Sequence, residues 1–230
     1  MDTMSWRAYV EGHPFDLDLL VEQFDRGQVV VRRDGDQCWI ESPDFEALTE
    51  PGDVQRVSRG LLNAMNGAAA LVDASFRRVE LTDRFSNGTG STFVLLSAAI
   101  ETRSRVTAAA EVRGPDGGLI APPPTPGPDF LAAARREQNV LEVLELLGRG
   151  PGDWVTLYKI FEVIRADGHN TRWATEPEYS AFTVSANRPS VSGPDARHAR
   201  GAQRSPKRTM TIHDAREFIR RVALAWVSSK

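Results

Sequence analysis

Five cations and a histidine in one segment near the end of the chain are the residues with the clearest capacity for chemistry. His198 lies among cations that fall within twelve residues, namely Arg197, Arg200, Arg204, Lys207 and Arg208. We call residues 197–208 the basic segment. Guanidinium and ammonium groups contact phosphate oxygens, and an imidazole with a pKa of about 6.5 can exchange a proton at neutral pH. The basic segment therefore predicts a surface that contacts a phosphate-bearing partner.

Two other interpretations of the basic segment stay open. It has no aromatic residue interleaved to stack on bases, so it also fits a solvated connector between two helices. The same charges would attract an acidic protein. Long loops without regular structure are usually either functional or disordered. A phosphate-binding surface, a solvated connector and a surface for an acidic protein therefore all stay open as interpretations.

Cleavage of RNA is the reaction implied by a resemblance of residues 129–230 to the HEPN superfamily, which Asn187-Arg188 and Arg197-His198 carry. A ribose 2′-hydroxyl attacks the adjacent phosphate, a histidine moves the proton, and an arginine holds the charge of the phosphorane. In this hypothesis His198 is the acid or base and Asn187 positions the substrate. Arg197 and Arg200 hold the phosphate. The expected nucleic-acid contacts are Arg200, Arg204, Lys207 and Arg208. No metal ion or other cofactor is predicted.

The composition limits the class of protein. The chain has 230 residues, 41 % of them hydrophobic, and a net charge of −3, which suits one large or two small folded domains. Its single cysteine, Cys38, excludes a disulfide framework and a cysteine-based zinc site. No apolar stretch approaches the ~20 residues of a membrane helix, and no export signal is recognisable. We therefore expect a cytoplasmic protein that does not enter the membrane.

Charge and proline content predict where the chain divides. Residues 1–120 carry a net charge of −7 and residues 121–230 a net charge of +4. Between them, residues 121–128 contain five prolines, which remove backbone donors and hold the chain extended. We predict an N-terminal domain over 1–120, a proline-rich linker over 121–128 and a second domain over 129–230.

The first predicted domain has an α+β pattern, in which an antiparallel sheet carries two helices on one face. One helix begins at Pro14 and ends before Gly27, and the other runs from Pro51 to Asn66-Gly67. An Asp-Gly turn at Gly35 predicts a hairpin. The predicted strands are 6–10, 28–33, 37–41, 76–81, 92–100 and 105–112.

The second predicted domain is a four-helix bundle. Its helices start at the capping residues Asp129, Asp153, Thr175 and Thr211, and their apolar stripes are expected to form the core. The first of them is expected to end at Gly148. The arginines of the last helix are expected on its surface.

Residues 129–230 resemble the HEPN superfamily of small α-helical bundles. The resemblance rests on the four helices, on Asn187-Arg188 at the end of the third, and on Arg197-His198 before the last. Many members are RNases of defence or toxin–antitoxin systems, and others bind RNA or proteins without catalysis. In the family's catalytic pattern four to six residues separate an arginine from a histidine. Arg208 and His213 have that spacing, as do Arg7 and His13, whereas Arg197 and His198 are adjacent.

Three classes of function follow as hypotheses. The first is a non-enzymatic binding or adaptor protein whose helical half contacts RNA or an acidic partner, in a bacterial defence or stress system. The second is a metal-independent RNase of the HEPN type, and the third is a sensor of a small ligand. The apolar stripes are also compatible with a homodimer. Motifs for P-loop nucleotide hydrolysis, serine esterase action and zinc proteolysis are absent from the sequence.

Overall fold

The computed structural model describes residues 6–87, 92–94, 125–168, 173–193, 196 and 208–230. These residues form an α+β protein, which confirms the predicted fold class. They form two compact units: one of Met1–Arg59 with Val79–Pro128, which we call the sheet unit, and one of Gly60–Arg78 with Asp129–Lys230, which we call the helical unit. Residues 60–78, which the domain prediction placed in the N-terminal half, thus belong to the helical unit.

The sheet unit contains five antiparallel strands in the spatial order β2-β3-β1-β4-β5. Gly35 has a φ of 57° between β2 and β3, which confirms the predicted hairpin, because glycine adopts this conformation without steric cost. The strands are β1 Arg7–Glu11, β2 Val30–Asp34, β3 Gln37–Glu41, β4 Glu80–Ser86 and β5 Thr92–Val94.

The strand predictions beyond residue 72 are only partly correct. The strand expected over 76–81 begins at Glu80 and runs to Ser86, because β4 extends through the polar residues that pair with β1 and β5. The strand expected over 92–100 is described over Thr92–Val94. Residues 95–100 and the strand expected over 105–112 lie outside the described residues.

One face of the sheet forms the core of this unit. Cross-strand partners on that face are buried, including Ala8 with Ile40 and Val10 with Cys38. The helix α1, Pro14–Gln23, contacts β2, and its Leu20 is fully buried. Burial raises the pKa of the Cys38 thiol, and the side chain packs in the core as a small hydrophobic group.

The described end of the proline-rich linker is attached to the sheet unit. The hydroxyl of Thr125 donates a hydrogen bond to the carbonyl of Gln23, with an Oγ1–O distance of 3.1 Å. Helix α3 begins at Gly127, so the predicted linker of 121–128 ends sooner than expected. Residues 121–124 lie outside the described residues.

The helical unit contains the four helical regions predicted after the linker, with one division. Glu137 has an extended backbone, with φ −128° and ψ 112°, and splits the first predicted helix in two. In this unit α5 contacts α4, α6 and α8. The helices of the second half of the chain are α3 Gly127–Arg136, α4 Gln138–Gly148, α5 Trp154–Ala166, α6 Glu176–Asn187, α7 Pro189–Ser192 and α8 Ile212–Val227.

Helix α2, Pro51–Val72, is longer than predicted. We expected Gly67 to end it, but this glycine lies inside the helix and against α4. A Cβ at Gly67 would lie 2.0 Å from the carbonyl oxygen of Leu144, and one at Gly148 would lie 1.9 Å from that of Asn63. The two glycines therefore permit α2 and α4 to cross with their backbones in contact.

An aromatic cluster fills the centre of the helical unit. Phe182 of α6 is completely buried, and its ring centroid lies between 5.2 and 6.2 Å from those of four other rings. Such pairs stabilise a core beyond the burial of their area. The four neighbours of Phe182 are Trp154, Tyr158, Phe161 and Phe218.

A polar cluster joins Lys230 to the ends of two helices. Trp226 Nε1 donates to Asp167 Oδ2 at 2.9 Å, and Lys230 Nζ pairs with the carboxylates of Asp167 and Glu137. Burial by itself would raise the pKa of Asp167. The hydrogen bonds from Lys230 and Trp226, together with the Lys230 charge, outweigh it and lower that pKa below its ordinary value.

The lowered pKa of Asp167 predicts how stability depends on pH. A carboxyl whose pKa is lower in the folded protein stabilises it above the unfolded pKa of about 3.9, and the contribution is lost as pH falls through the folded pKa. We expect Asp167→Asn to reduce the free energy of unfolding at pH 7 by about 1 kcal/mol or less, since the group is partly exposed. Urea denaturation of both proteins at several pH values measures the difference in their free energies of unfolding. A difference between variant and wild type that stays constant down to pH 2.5 would contradict the prediction.

Candidate nucleic-acid interface

The predicted site residues fall into two groups. Asn187, at the end of α6, and Arg208, four residues before α8, are described. The others lie outside the described residues: Arg197, His198, Arg200, Arg204 and Lys207. The described geometry of the site is therefore that of the end of α6 with α7, before the basic segment, and of the start of α8, after it.

A buried serine attaches the returning chain to α6. The hydroxyl of Ser185 donates to the carbonyl of Ala181 at 2.9 Å and accepts the backbone N–H of Met210 at 2.8 Å. Ser185 is completely buried, so both bonds form away from competing water. They hold the chain just after the basic segment beside the last turn of α6.

The departing chain is held at the same end of α6. The short helix α7 follows α6 directly and contacts it. The hydroxyl of Ser192 donates to the carbonyl of Arg188 at 3.0 Å, and Gly193, with a φ of 64°, ends the turn. The Ser192 bond lies within the turn of α7, whereas the Met210 bond joins the returning chain to Ser185 of α6.

Asn187 and Arg208 differ in their surroundings at this end of the unit. The Oδ1 atom of Asn187 is buried and accepts no hydrogen bond from the described residues, a state that costs about 1–3 kcal/mol. Arg208 is exposed. The attachment of Met210 to Ser185 brings Arg208 toward the end of α6 that carries Asn187, so one cation and one amide of the predicted set share a region.

A shallow cleft of about 380 Å³ runs beside α8 and contains charged residues. Its guanidinium groups are paired within the chain, because Arg221 bonds to Glu178 at 2.6 Å and Arg220 to Glu217 at 3.1 Å. The bonds of the Glu178 carboxylate to Thr175, followed by its contact with Arg221, lower the pKa of Glu178. Carboxylates therefore compensate the cations of this cleft, and the cleft does not favour an anionic ligand.

The arginines of α8 do more than the sequence predicted. They were expected to lie on the surface, but each donates to a backbone carbonyl of another segment. Arg216 Nε bonds to Gly152 at 3.0 Å, Arg220 Nη1 to Leu71 at 3.1 Å and Arg221 Nη1 to Trp173 at 3.2 Å. No sequence pattern predicts such bonds, because every residue has a backbone carbonyl that can accept one.

The two Arg–His pairs with the family spacing lie in different surroundings. His13 is the N-cap of α1, where its Nδ1 accepts the backbone N–H of Phe15 at 3.4 Å. His213 is exposed in the first turn of α8, beside the Thr211–Asp214 capping box. A helix-capping role thus accounts for His13, while the pair of Arg208 and His213 is exposed on the helical unit.

The described ranges contain neither a cluster of metal-binding side chains nor a helix able to span a membrane. Within them, no group of three or more His, Cys, Asp or Glu side chains is arranged to hold a metal ion. None of the helices in the described part of the chain has both the length and the apolar character needed to cross a bilayer.

Comparisons of the chain with protein-family models, with curated proteins and with solved structures gave no significant match. The resemblance to the HEPN superfamily stays a prediction that rests on the residues quoted for it.

Proposed function

We propose that this protein binds RNA without cleaving it, through the basic segment of its helical unit. The supporting observation is that α7, which precedes this segment, contacts α6, and that Met210, which follows it, is bonded to Ser185 in the last turn of α6. In this proposal the five cations of the segment act together on one stretch of a polyanion.

Binding requires less of the structure than catalysis does. Phosphate contact needs only cations within reach of the backbone of the nucleic acid. Cleavage needs a histidine, an arginine and a positioning group in one precise arrangement. The described residues contribute Asn187 and Arg208 to the proposed site, and His213 is an exposed residue on the first turn of α8. These observations favour the binding function.

The proposal is tested by the salt dependence of RNA binding. Anisotropy of a fluorescein-labelled, mixed-sequence single-stranded RNA is measured with the full chain between 50 and 300 mM salt. Each phosphate contact contributes about 0.7 to the slope of log K against log salt concentration. We expect the change of Arg200, Arg204, Lys207 and Arg208 to glutamine to reduce this slope by about 3.

A matched control removes the same charge elsewhere. Its four arginines are exposed and lie outside the basic segment, and each is changed to glutamine: Arg56, Arg59, Arg149 and Arg165. We expect this variant to keep most of the wild-type slope. No binding by the wild type at 50 mM salt, or equal losses in the two variants, would contradict the proposal.

The same samples separate binding from RNase activity. Incubation of the RNA with wild-type protein and EDTA, followed by gel electrophoresis, is expected to leave it intact. Cleavage that persists in chelator and disappears in His198→Ala would establish the RNase alternative in place of binding alone.

A further inference from the structure

The face of the sheet opposite the core carries two aromatic rings between two arginines. Register pairs Tyr9 with Trp39 and Trp39 with Arg32, so these side chains form one row across β1, β3 and β2. On the other side of the row the guanidinium carbon of Arg84 lies 4.2 Å from the ring centroid of Tyr9. The row therefore reads Arg32, Trp39, Tyr9 and Arg84 from one side to the other.

A second set of contacts fixes the rings of this row. Trp39 Nε1 donates to Glu41 Oε1 at 2.8 Å, and the guanidinium carbon of Arg7 lies 4.9 Å from the Trp39 ring centroid. The hydroxyl of Tyr9 lies 3.2 Å from that of Ser86. The two ring centroids are 6.0 Å apart, and the contacts preorganise them before any ligand arrives.

The arginines are the accessible part of this face, because Tyr9 is only 8 % exposed and Trp39 is half-buried. The side chains of Arg7 and Arg32 are 49 % and 50 % exposed, and both form ion pairs with Glu41, which is 27 % exposed, at 3.3 Å from Arg7 Nε and 3.9 Å from Arg32 Nε. Three guanidinium groups thus face one carboxylate among the contacts of the aromatic row. The remaining acidic groups of this face lie at the other end of the strands, where Glu11 pairs with Glu80 and Asp34 with Gln37.

Aromatic rings and guanidinium planes on a sheet suit a particular ligand. Unpaired bases stack on aromatic side chains and on arginine, while phosphates bind guanidinium groups. An acidic peptide would satisfy the charges but would bring no base to stack with the Arg7 guanidinium and the half-buried Trp39 ring. We propose that this sheet face binds single-stranded RNA, with a base stacked against Trp39 and Arg7 and phosphates on Arg32 and Arg84.

The inference extends the proposed function, because it names the RNA as single-stranded and adds a contact surface to the basic segment. It accounts for the absence of aromatic residues in that segment, since the stacking groups lie on the sheet. The pairing of four strands brings these residues together from positions 7, 9, 32, 39 and 84, which no local sequence pattern reveals.

Two variants on the full chain test the sheet face. Trp39→Leu keeps an apolar side chain and removes no charge, so RNA affinity is expected to fall about tenfold with the salt slope unchanged. Arg32→Gln is expected to lower the slope by about 0.7. Its matched control, Arg33→Gln, lies on the same strand but points to the other face and pairs with Asp18, and it is expected to keep the wild-type slope.

A direct readout accompanies the affinities. Ultraviolet crosslinking of the wild type to labelled RNA, followed by peptide mass spectrometry, is expected to place crosslinks on Tyr9 or Trp39. A fully duplexed RNA of the same sequence is expected to compete at least tenfold less well, because its bases are stacked inside the helix.

The outcomes distinguish this inference from the proposed function. Wild-type affinity in Trp39→Leu and equal slopes in Arg32→Gln and Arg33→Gln would overturn the sheet face while leaving the basic segment in place. Loss of affinity in Trp39→Leu, with the basic-segment variant unaffected, would keep the sheet face and overturn the segment. If circular dichroism shows that Trp39→Leu does not fold, the comparison of the salt slopes of Arg32→Gln and Arg33→Gln tests the sheet face instead. RNA that binds to neither surface refutes both.

Discussion

Replacing Gly67 by alanine is expected to lower the free energy of unfolding of the helical unit by about 3 kcal/mol. The new Cβ would lie 2.0 Å from the carbonyl oxygen of Leu144 and 2.7 Å from its carbonyl carbon. Because these are backbone atoms, no side-chain rotation relieves the clash, and α2 must move away from α4. Overpacking costs about 1–3 kcal/mol even where side chains can adjust. Urea denaturation followed by circular dichroism measures the loss.

A second glycine of the same helix is the control for this prediction. A Cβ at Gly60 would meet no atom within 4 Å. Gly60→Ala therefore changes only the helix propensity of α2, and we expect it to stabilise the protein by about 0.5–1 kcal/mol. Equal effects of Gly60→Ala and Gly67→Ala would show that the two helices do not cross at Gly67.

The second large effect is expected for Phe182→Ala, which should reduce the free energy of unfolding by about 3–5 kcal/mol. Phe182 is fully buried and contacts four aromatic rings from α5 and α8. Its removal leaves a cavity that these large, rigid rings cannot fill by small movements. Calorimetry and urea denaturation measure the change.

An exposed apolar residue of α5 serves as the control for Phe182→Ala. Val155 is 39 % exposed, so Val155→Ala is expected to change the free energy of unfolding by no more than about 0.5 kcal/mol. A loss below about 1 kcal/mol for Phe182→Ala would mean that the aromatic cluster is loosely packed, contrary to the ring distances in the structure.

Ser185 attaches the chain that returns from the basic segment to α6. Ser185 supplies one hydroxyl that bonds to α6 and to the chain entering α8. Its two partners are backbone groups, so the attachment does not depend on the identity of the residues that flank it. None of the attaching bonds described uses a charged side chain.

Prediction of the site from the sequence was limited in a specific way. The density of cations around His198 is a property of neighbouring residues and is visible in the sequence alone. The aromatic row of the sheet was missed, because Tyr9 and Trp39 lie on separate strands and become neighbours only through β1–β3 pairing. The burial of Asn187 Oδ1 was missed for a similar reason, since burial depends on residues that are distant in the chain.

The sequence by itself determined the elements whose signals are local. The Asp-Gly hairpin, the capping box at Thr211 and the helical stripes of α5, α6 and α8 all follow from residues within a few positions of one another. Tertiary structure alone decided that α2 continues past Gly67 and that residues 60–78 join the helical unit. A glycine often ends a helix that has no packing partner. At Gly67 the missing side chain instead lets the backbone of α2 contact that of α4, and only the presence of α4 at this point decides between the two outcomes.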